Sequence, residues 1–395
     1  MKILIADKLS ESAIHALEAL GGTITFLPGL AAEELPDYIK DHEILVVRST
    51  KVTAATIETG TSLSLIIRAG AGVNTIDLEA ASRRGIYVAN CPGENTQAVA
   101  ELVIGLMIAV DRRIVDATNE LRQGTWNKKE YSKAPGLAGR TLGILGLGSI
   151  GKAVARAARG LQMDVIAWSR SFSPDMEIEL GIGYVDSPLK LAEKADIVSV
   201  NIAATSETQH LCDDNFFSRM KDNAMFINTS RGDVVDTEAL KQAIRDKRLR
   251  VALDVYENEP GSGHAEFPDN DWIQNIVGTP HIGASTSQAA EAIAAAVVRI
   301  VQTYIETGQP SNVVNIRQQP CDCKVMLVRH FNKVGVLANV LSEIRNEGIN
   351  VEDMENTIFS NGAAAVATLK MDDEPSEALL NRLQEKENII QVSLK

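Results

Sequence analysis

The chain is predicted to fold as an α/β protein with two parallel-sheet domains and a small βαββαβ module at its carboxyl end. Short apolar runs alternate with helical patterns over most of the 395 residues, as is typical of parallel sheets covered by helices. A glycine-rich turn joins one apolar run to a helix near Gly146. Since the same alternation already runs through residues 1–95, the turn belongs to an inserted domain.

The first domain shows no phosphate-binding glycine motif. Its helices are predicted at residues 12–20, 35–40 and 53–59, and a long helix, apolar on most sides, from Asn95 or Thr96 to about Leu121. Such a helix is expected to be buried between domains or subunits. Apolar runs predict strands at residues 3–6, 44–47, 65–67 and 86–89, and their burial on both faces favours a parallel sheet.

The inserted domain begins with a dinucleotide-binding turn. Gly146-Leu147-Gly148-Ser149-Ile150-Gly151 has the spacing in which the glycines allow a tight turn, approach of a pyrophosphate, and close packing of the helix on the strand. Unpaired N–H groups at the start of that helix would face the phosphates. A Rossmann-type sheet is completed by strands near 165–168, 197–201, 224–228, 251–255 and 276–279, with helices near 189–193, 213–219 and 237–245.

An alanine-rich helix at 287–307 is expected to return the chain to the first domain. The predicted domains are therefore a flavodoxin-like substrate-binding domain (1–97 and 286–312), a dinucleotide-binding domain (98–285) and a ferredoxin-like module (323–395). Residues 309–312 and 318–320 have linker composition.

Composition excludes several classes of function. Lys and Arg number 39 against 52 Asp and Glu, and the net charge of −13 argues against nucleic-acid or anionic-membrane binding. No apolar run approaches the roughly 18–20 residues of a membrane span, and the start reads as a strand rather than a signal peptide. Cys321 and Cys323 are a tempting pair of metal ligands, but an incidental spacing is the simpler interpretation. The chain is therefore expected to hold no metal, and its cysteines are expected to be reduced, as in a cytoplasmic protein.

Three residues that follow predicted strands are candidates for chemistry. Arg231 suits bidentate capture of a carboxylate, and His281 suits proton transfer. Glu259, if it touches His281, would hold the imidazole tautomer and keep a proton available. Parallel strands bring their carboxyl ends, and hence these side chains, to one edge of the sheet. His210 and His264 lie in polar loops with no second signal.

Together these motifs resemble those of the D-isomer-specific 2-hydroxyacid dehydrogenases over residues 1–311. The resemblance implies that Arg231 orients the substrate, that His281 is the acid/base and that Glu259 is its partner. It also implies cofactor contacts from Asp254 and Thr229 and from the glycine turn, including Ser149 and Ile150. The matching motifs are Gly146 to Gly151, Asn228-Thr-Ser-Arg-Gly232, Asp254-Val-Tyr-Glu-Asn-Glu-Pro260 and Thr279-Pro-His-Ile-Gly-Ala-Ser285.

Within that family, the chain is most similar to members that oxidise 3-phospho-D-glycerate, the first step of L-serine biosynthesis. Arg48, Arg68, Gly72 and Asn74 match positions that bind the substrate. Lys128 and Lys129 resemble a basic segment that reaches across a dimer interface, with a solvated loop as the alternative. Glyoxylate or hydroxypyruvate reduction, and an NADH-responsive corepressor-like scaffold, are the competing functions.

The resemblance implies NAD as cofactor, but Ser169 and Arg170 stand where NAD-specific members carry an acid, so NADP could be tolerated. Residues 323–395 resemble an ACT domain, in which His330, Asn332 and Asn350 match positions that bind L-serine. Val334 replaces the usual proline, and a module used only for assembly is the alternative. A homodimer or homotetramer is expected.

Overall fold

The computed structural model describes residues 1–172, 174–260, 265–267, 272–317 and 323–395, so His264 and Cys321 lie outside the described residues. The chain divides into two compact units, Met1–Asn315 and Ile316–Lys395. Two parallel sheets build the first unit, and one antiparallel sheet builds the second. The predicted mixed α/β class with parallel, Rossmann-type sheets is therefore confirmed.

The first sheet has five parallel strands in the order β2-β1-β3-β4-β5, which is the flavodoxin-like order. Strand β2 was not predicted, because its sequence Thr-Ile-Thr-Phe lies at an edge, is only partly buried and lacks an unbroken apolar run. The elements are β1 (Lys2–Ile5), α1 (Glu11–Ala19), β2 (Thr23–Phe26), α2 (Leu35–Tyr38), β3 (Ile44–Val47), α3 (Ala54–Thr59), β4 (Leu65–Arg68), α4 (Leu78–Arg83) and β5 (Tyr87–Asn90).

The long apolar helix is shorter than predicted. It runs as α5 (Thr96–Arg112), and a second helix, α6 (Ile114–Arg122), follows in place of its predicted last turns. The break lies at Arg113, which has a left-handed backbone (φ 52°, ψ 45°) and ends α5 through bonds from its N–H to the carbonyls of Ala109 and Val110. No residue of α6 is buried, so continued packing does not hold the two helices in line. A short helix, α7 (Lys128–Tyr131), comes next.

The second sheet has seven strands in the order β12-β11-β10-β9-β6-β7-β8, with the glycine-turn strand β6 in its interior. After β6, the chain adds β7 and β8 on one side of that strand and then crosses to its other side, where β9 pairs with β6. This change of direction opens a crevice at the carboxyl ends of β6 and β9. Its elements are β6 (Thr141–Leu145), α8 (Ser149–Gly160), β7 (Asp164–Trp168), α9 (Pro174–Leu180), β8 (Gly183–Tyr184), α10 (Pro188–Lys194), β9 (Ile197–Val200), α11 (Asp214–Arg219), β10 (Met225–Asn228), α12 (Thr237–Lys247), β11 (Arg250–Leu253) and β12 (Ile276–Gly278), with 3₁₀ turns at Gly232–Val234 and Ile273–Asn275.

Helix α13 (Ser287–Thr307) returns the chain to the first sheet, where Ile293, Val297 and Ile300 join the core under β1, β3 and β4. The segment after it then runs beside β5. Asn90 N–H donates to the Asn312 carbonyl at 3.2 Å, and Val314 N–H donates to the Val88 carbonyl at 2.8 Å. The compact unit therefore reaches Asn315, beyond the boundary expected at 312.

The second unit has the βαββαβ element order and a four-stranded sheet in the order β14-β15-β13-β16. Alternate residues of β13 and β15 are buried and form one core with α14 and α15, as expected of a sheet covered on one face. Its elements are β13 (Lys324–Phe331), α14 (Val336–Asn346), β14 (Val351–Ile358), β15 (Ala364–Met371), α15 (Glu377–Gln384) and β16 (Ile389–Leu394). Over all the described ranges, the chain has no helix of sufficient apolar length to cross a bilayer.

Candidate active site

His281 and Glu259 form a hydrogen-bonded pair at the carboxyl edge of the seven-stranded sheet. His281 Nδ1 lies 2.6 Å from Glu259 Oε1, and both side chains are partly exposed. Glu259 follows β11 and His281 follows β12, so neighbouring parallel strands bring them together. With Nδ1 bonded to the carboxylate, Nε2 is the ring nitrogen left to exchange a proton with a substrate.

The loop that carries His281 is held by Asp254, whose side chain is almost fully buried. One carboxylate oxygen accepts bonds from Thr279 Oγ1 (2.6 Å) and the Ile282 N–H (2.8 Å), and the other accepts from the Gly283 N–H (2.9 Å). The Asp254 carbonyl also accepts from the His281 N–H at 2.8 Å. These bonds hold His281 at φ 53°, a left-handed backbone that is costly for a residue with a side chain.

Arg231 lies directly after β10 and points towards the first domain. Its Nη1 donates to the Ser230 carbonyl at 2.6 Å, and Asn228 Nδ2 donates to the Arg231 carbonyl at 2.9 Å. A Cβ built on Gly72 would overlap Arg231 Nη2, so the absence of a side chain at Gly72 makes room for the guanidinium. Burial lowers the pKa of Arg231, while the negative charge of nearby Glu259 opposes that shift.

Arg48 and Arg68, at the ends of β3 and β4, add two more guanidinium groups, and Arg68 has both Arg48 and Arg231 as charged neighbours. Burial lowers the pKa of Arg68 to about 10, and the positive charges of Arg231 and Arg48 act in the same direction. Asp7 Oδ2 accepts the backbone N–H groups of residues 48–50 at 2.6–3.0 Å. The negative charge of Asp7 raises the pKa of Arg68, but this is the smallest of the contributions and does not offset the burial and the two positive charges.

Arg68 Nε is buried and has no hydrogen-bond partner in the described part of the chain. We call Arg48, Arg68 and Arg231 the arginine cluster. Mutual repulsion and incomplete solvation of these like charges favour the binding of an anion. Asn74 lies at the same place, with its Oδ1 beside Gly72.

The glycine turn fits the pyrophosphate of a dinucleotide. Gly146 has φ 101°, and a Cβ there would lie 2.5 Å from Ile202 Cγ2, while a Cβ on Gly151 would overlap the Gly146 carbonyl oxygen. A Cβ on Gly148 would instead enter open space. Gly148 caps α8 without a side-chain bond, so the N–H groups at the helix start, from Ser149 and Ile150 onward, can face an anion.

Two buried polar atoms, in the loops that follow β9 and β10, can bind the remainder of such a cofactor. Asn201 Oδ1, after β9, and Thr229 Oγ1, after β10, are buried and find no hydrogen-bond partner among the described residues. A buried polar atom without a partner is costly and is often satisfied by a ligand or by water. Both therefore fit a dinucleotide that extends from the glycine turn across the edge of the sheet.

At the end of β7, Ser169 and Arg170 replace an acidic residue, but a carboxylate is nearby. Arg170 Nη1 lies 2.5 Å from Glu207 Oε2, and both side chains are largely exposed. Glu207 belongs to the loop after β9, far from Arg170 in sequence, so the sequence offered no signal for this pair.

The remaining predicted site residues belong to α7 and to the second unit. Lys128 and Lys129 are exposed on α7, and no side-chain bond links either to the arginine cluster in the described structure. In the second unit, His330 is buried, with Nδ1 2.8 Å from the Phe331 carbonyl and Nε2 3.1 Å from Asn356 Oδ1. Asn332 and Asn350 are exposed. No group of three or more potential metal ligands occurs among the described residues.

Residues 104–283 match the family model described as D-isomer specific 2-hydroxyacid dehydrogenase, NAD binding domain. The chain is 36% identical over 352 residues to the D-3-phosphoglycerate dehydrogenase of Methanocaldococcus jannaschii, covering 89% of this chain but 66% of that protein. It is 39% identical over 324 residues to the glyoxylate reductase of Thermococcus litoralis, covering 80% of this chain and 96% of that protein.

Among solved structures, the NAD⁺-bound 3-phosphoglycerate dehydrogenase of Entamoeba histolytica superposes with a TM-score of 0.68 at 26% identity, covering 80% of this chain and 99% of that one. The matched domain type and the fit of the glycine turn support NAD as the cofactor. The chain is thus a member of the D-isomer specific 2-hydroxyacid dehydrogenase family.

Proposed function

We propose that the protein oxidises 3-phospho-D-glycerate to 3-phosphohydroxypyruvate with NAD, the first step of L-serine biosynthesis. The observation that carries this proposal is the arginine cluster: Arg68 is close enough to Arg48 and Arg231 for their charges to lower its pKa, and Arg231 in turn is near Glu259 of the His281–Glu259 pair. A phosphorylated 2-hydroxy acid carries about three negative charges, and a protein with a net charge of −13 must meet them locally. The cluster supplies that positive charge.

In this proposal Arg231 binds the carboxylate and the C2 oxygen, while His281 Nε2 takes the proton of the C2 hydroxyl. Glu259 keeps the imidazole oriented and stabilises the positive charge that the ring gains. NAD, held at the glycine turn, would supply the acceptor for the C2 hydrogen and its electron pair. Arg48, Arg68, Gly72 and Asn74 would bind the phosphorylated end and so set the orientation of the substrate.

For the cofactor, we propose that the pyrophosphate lies against Gly148, Ser149 and Ile150 and that Thr229 and Asp254 lie near the nicotinamide end. The Asp254 carboxylate already accepts three hydrogen bonds, so its role is to hold the His281 loop beside the nicotinamide ring.

The ion pair of Glu207 with Arg170 favours NAD over NADP, because the 2′-phosphate of NADP would have to displace Glu207 from Arg170. A Glu207→Gln variant should therefore use NADP better relative to NAD than the wild type does.

The remaining proposals concern assembly and regulation. The second unit would act as an ACT module that binds L-serine through His330, Asn332 and Asn350, and the enzyme would be a homodimer or homotetramer. Lys128 or Lys129 would reach the substrate site of a neighbouring subunit. The βαββαβ order of the second unit supports the first of these proposals, and the exposure of the two lysines is compatible with the last.

Steady-state kinetics of arginine variants test the proposed substrate. Arg48→Ala and Arg68→Ala should each raise the KM for 3-phospho-D-glycerate about tenfold to a hundredfold, since a charged hydrogen bond is worth about 1.5–3 kcal/mol. The KM for unphosphorylated glyoxylate should change far less. Arg83→Ala, an exposed arginine paired with Glu79 in the same domain, is the matched control.

An unchanged KM for the phosphorylated substrate in both variants would rule the proposal out.

The second candidate, a glyoxylate or hydroxypyruvate reductase, is favoured by the near-complete coverage of the Thermococcus litoralis glyoxylate reductase. It predicts faster turnover of glyoxylate than of the phosphorylated acid. A corepressor-like scaffold, the third candidate, predicts almost no turnover of any 2-hydroxy acid.

A further inference from the structure

We propose that His210 and Glu257 act as positioning residues that tie together the two loops carrying Arg231 and Glu259; this inference rests on the proposed dehydrogenase activity. His210 Nε2 lies 2.6 Å from Glu257 Oε1, although 47 residues separate the two in sequence. Both side chains are partly buried, at 41% and 26% exposure. This second histidine–carboxylate pair lies at the same edge of the sheet as His281–Glu259 but is built from other residues.

One loop, the arginine loop, comprises residues 229–236 and carries Arg231. His210 is bound to it through its backbone, because its N–H donates to the Asp233 carbonyl at 2.9 Å. Cys212 continues the contact, since its N–H donates to the Val234 carbonyl at 3.0 Å and its carbonyl accepts from the Asp236 N–H at 3.1 Å. Residues 210–212 thus run beside the arginine loop like a short added strand.

The other loop, the glutamate loop, comprises residues 254–260 and carries both Glu257 and Glu259. Glu257 Oε1 bonds to His210, and its Oε2 accepts from the N–H of Thr237, at the start of α12, at 3.3 Å. Glu257 therefore joins the glutamate loop to His210, which is bonded to the arginine loop, and to Thr237, which directly follows that loop. Glu259 lies two residues further on and bonds to His281.

The two loops also touch backbone to backbone. A Cβ built on Gly232, the residue after Arg231, would overlap the carbonyl group of Tyr256. Because this contact leaves no space between the loops, a shift of Glu257 would be passed to Gly232 and hence to Arg231.

The local backbone and charge agree with a positioning role. His210 has φ 50°, a left-handed conformation that is costly for histidine and persists only where surrounding bonds determine it. Burial raises the pKa of Glu257, but hydrogen bonds from Thr237 and His210 outweigh it and lower the pKa overall. Glu257 is therefore an ionised acceptor at neutral pH and can hold both of its donors.

Steady-state kinetics and amide hydrogen exchange test this role with 3-phospho-D-glycerate and NAD. His210→Ala and Glu257→Ala should lower kcat about tenfold to a hundredfold, since a misplacement of about 1 Å can cost about a hundredfold in rate. NADH affinity, measured by fluorescence, should fall much less than kcat, because the pyrophosphate site at the glycine turn is outside both loops even though Thr229 and Asp254 belong to them. Exchange should become faster in both loops, residues 229–236 and 254–260.

Two further variants separate positioning from stability. Glu257→Gln keeps the shape and can still hydrogen-bond, so it should recover most of the lost kcat. The double variant His210→Ala/Glu257→Ala should be little worse than Glu257→Ala alone, because Glu257→Ala already removes the bond to His210. His15→Ala, which breaks the exposed His15–Glu18 pair on α1, is the matched control and should behave as wild type.

Unchanged kcat in both alanine variants, or faster exchange in only one of the two loops, would overturn the inference. A lower melting temperature with wild-type kcat would assign the pair to stability alone and overturn it as well. Should the wild-type enzyme turn over no 2-hydroxy acid, the proposed function fails, and the exchange experiment still decides whether the His210–Glu257 bond holds the two loops together.

Discussion

His281 has its ring in place because Asp254 fixes the backbone around it. Three side-chain bonds and one backbone bond converge on Asp254 and hold the Thr279–Gly283 turn in the conformation that directs the imidazole to Glu259. The cost of the left-handed φ is thereby offset by hydrogen bonds to the buried Asp254 side chain. A catalytic base with a fixed position needs little reorganisation during the reaction.

Replacement of His281 should remove chemistry and leave cofactor binding intact. We expect His281→Ala to lower kcat by about 10²–10⁴, the usual contribution of a general acid/base. NADH affinity, measured by fluorescence, should stay close to that of wild type. The His281 imidazole belongs to the loop after β12, and three strands separate β12 from the glycine-turn strand β6. Loss of NADH binding in this variant would show that His281 has a structural role instead.

Sequence reasoning identified Arg231, Glu259 and His281 as a set because each directly follows a strand of one parallel sheet. It missed the pairs Arg170–Glu207 and His210–Glu257, whose partners are 37 and 47 residues apart. Those partners come from loops, and loop positions follow no period that a sequence pattern could reveal. Side-chain pairs between loops are therefore visible only in the folded chain.

At the scale of elements, the three glycines of the β6–α8 turn have different physical roles. Gly146 and Gly151 are required by the backbone, since a Cβ at either would collide with neighbouring atoms. Gly148 has an ordinary extended backbone and open space where a Cβ would be. The protein itself would tolerate a side chain there, so we expect the absence of one at Gly148 to matter only for the approach of a ligand.

Alanine substitutions should separate these roles. Gly151→Ala should lower the free energy of unfolding by about 1–3 kcal/mol through overpacking. Gly148→Ala should leave the free energy of unfolding nearly unchanged but weaken NADH binding about tenfold or more, about 1.4 kcal/mol, because its methyl group enters the pyrophosphate space. Denaturant titration and fluorescence binding measure the two effects. Equal NADH affinity in Gly148→Ala and wild type would contradict this view of the turn.

The opposite edge of the same sheet is held by Asp196, which precedes β9. Its carboxylate accepts from the Thr141 N–H at 2.8 Å, at the start of β6, and from Lys221 Nζ at 2.7 Å. Burial raises the pKa of Asp196, but these bonds outweigh it, so the pKa lies below its ordinary value of 3.8. The carboxylate therefore stabilises the fold above that pH, and this contribution is lost as the pH falls through the lower, folded-state pKa.

An Asp196→Asn variant should be less stable than wild type at pH 7, by about 1 kcal/mol. The difference should shrink as the pH falls below 3.8, where the wild-type carboxyl also becomes neutral. Denaturant titrations across this pH range measure it. Asp164→Asn, an exposed aspartate at the start of β7, controls for the loss of one charge. A stability difference independent of pH would exclude an ionised Asp196 as its source.

At the scale of the whole molecule, two units with separate cores share one chain. The core of the second unit consists of residues from Met326 onward, and the cores of the first unit contain none of them. Each unit should therefore fold without the other. A net charge of −13 combined with an arginine cluster also implies that specificity for an anion is local and does not come from long-range attraction.

Truncation after Asn315 tests this division. The fragment 1–315 should unfold cooperatively, bind NADH and keep turnover within about threefold of the full chain, since the candidate site lies wholly inside the first unit. L-Serine should slow the full-length enzyme and leave the fragment unaffected. A full-length enzyme indifferent to L-serine would refute the proposed effector, and an insoluble fragment would refute independent folding of the first unit.

The sequence by itself determined the α/β class, the glycine turn and the edge of the sheet at which polar residues collect. These features depend on periodicity and on short motifs, which act over a few residues. It did not determine the partly buried strand β2 or the break at Arg113, because packing against the rest of the chain decides both. Only the tertiary structure placed Arg48, Arg68 and Arg231 together and joined His210 to Glu257. Interactions between segments that are distant in sequence depend on distances that exist only after folding.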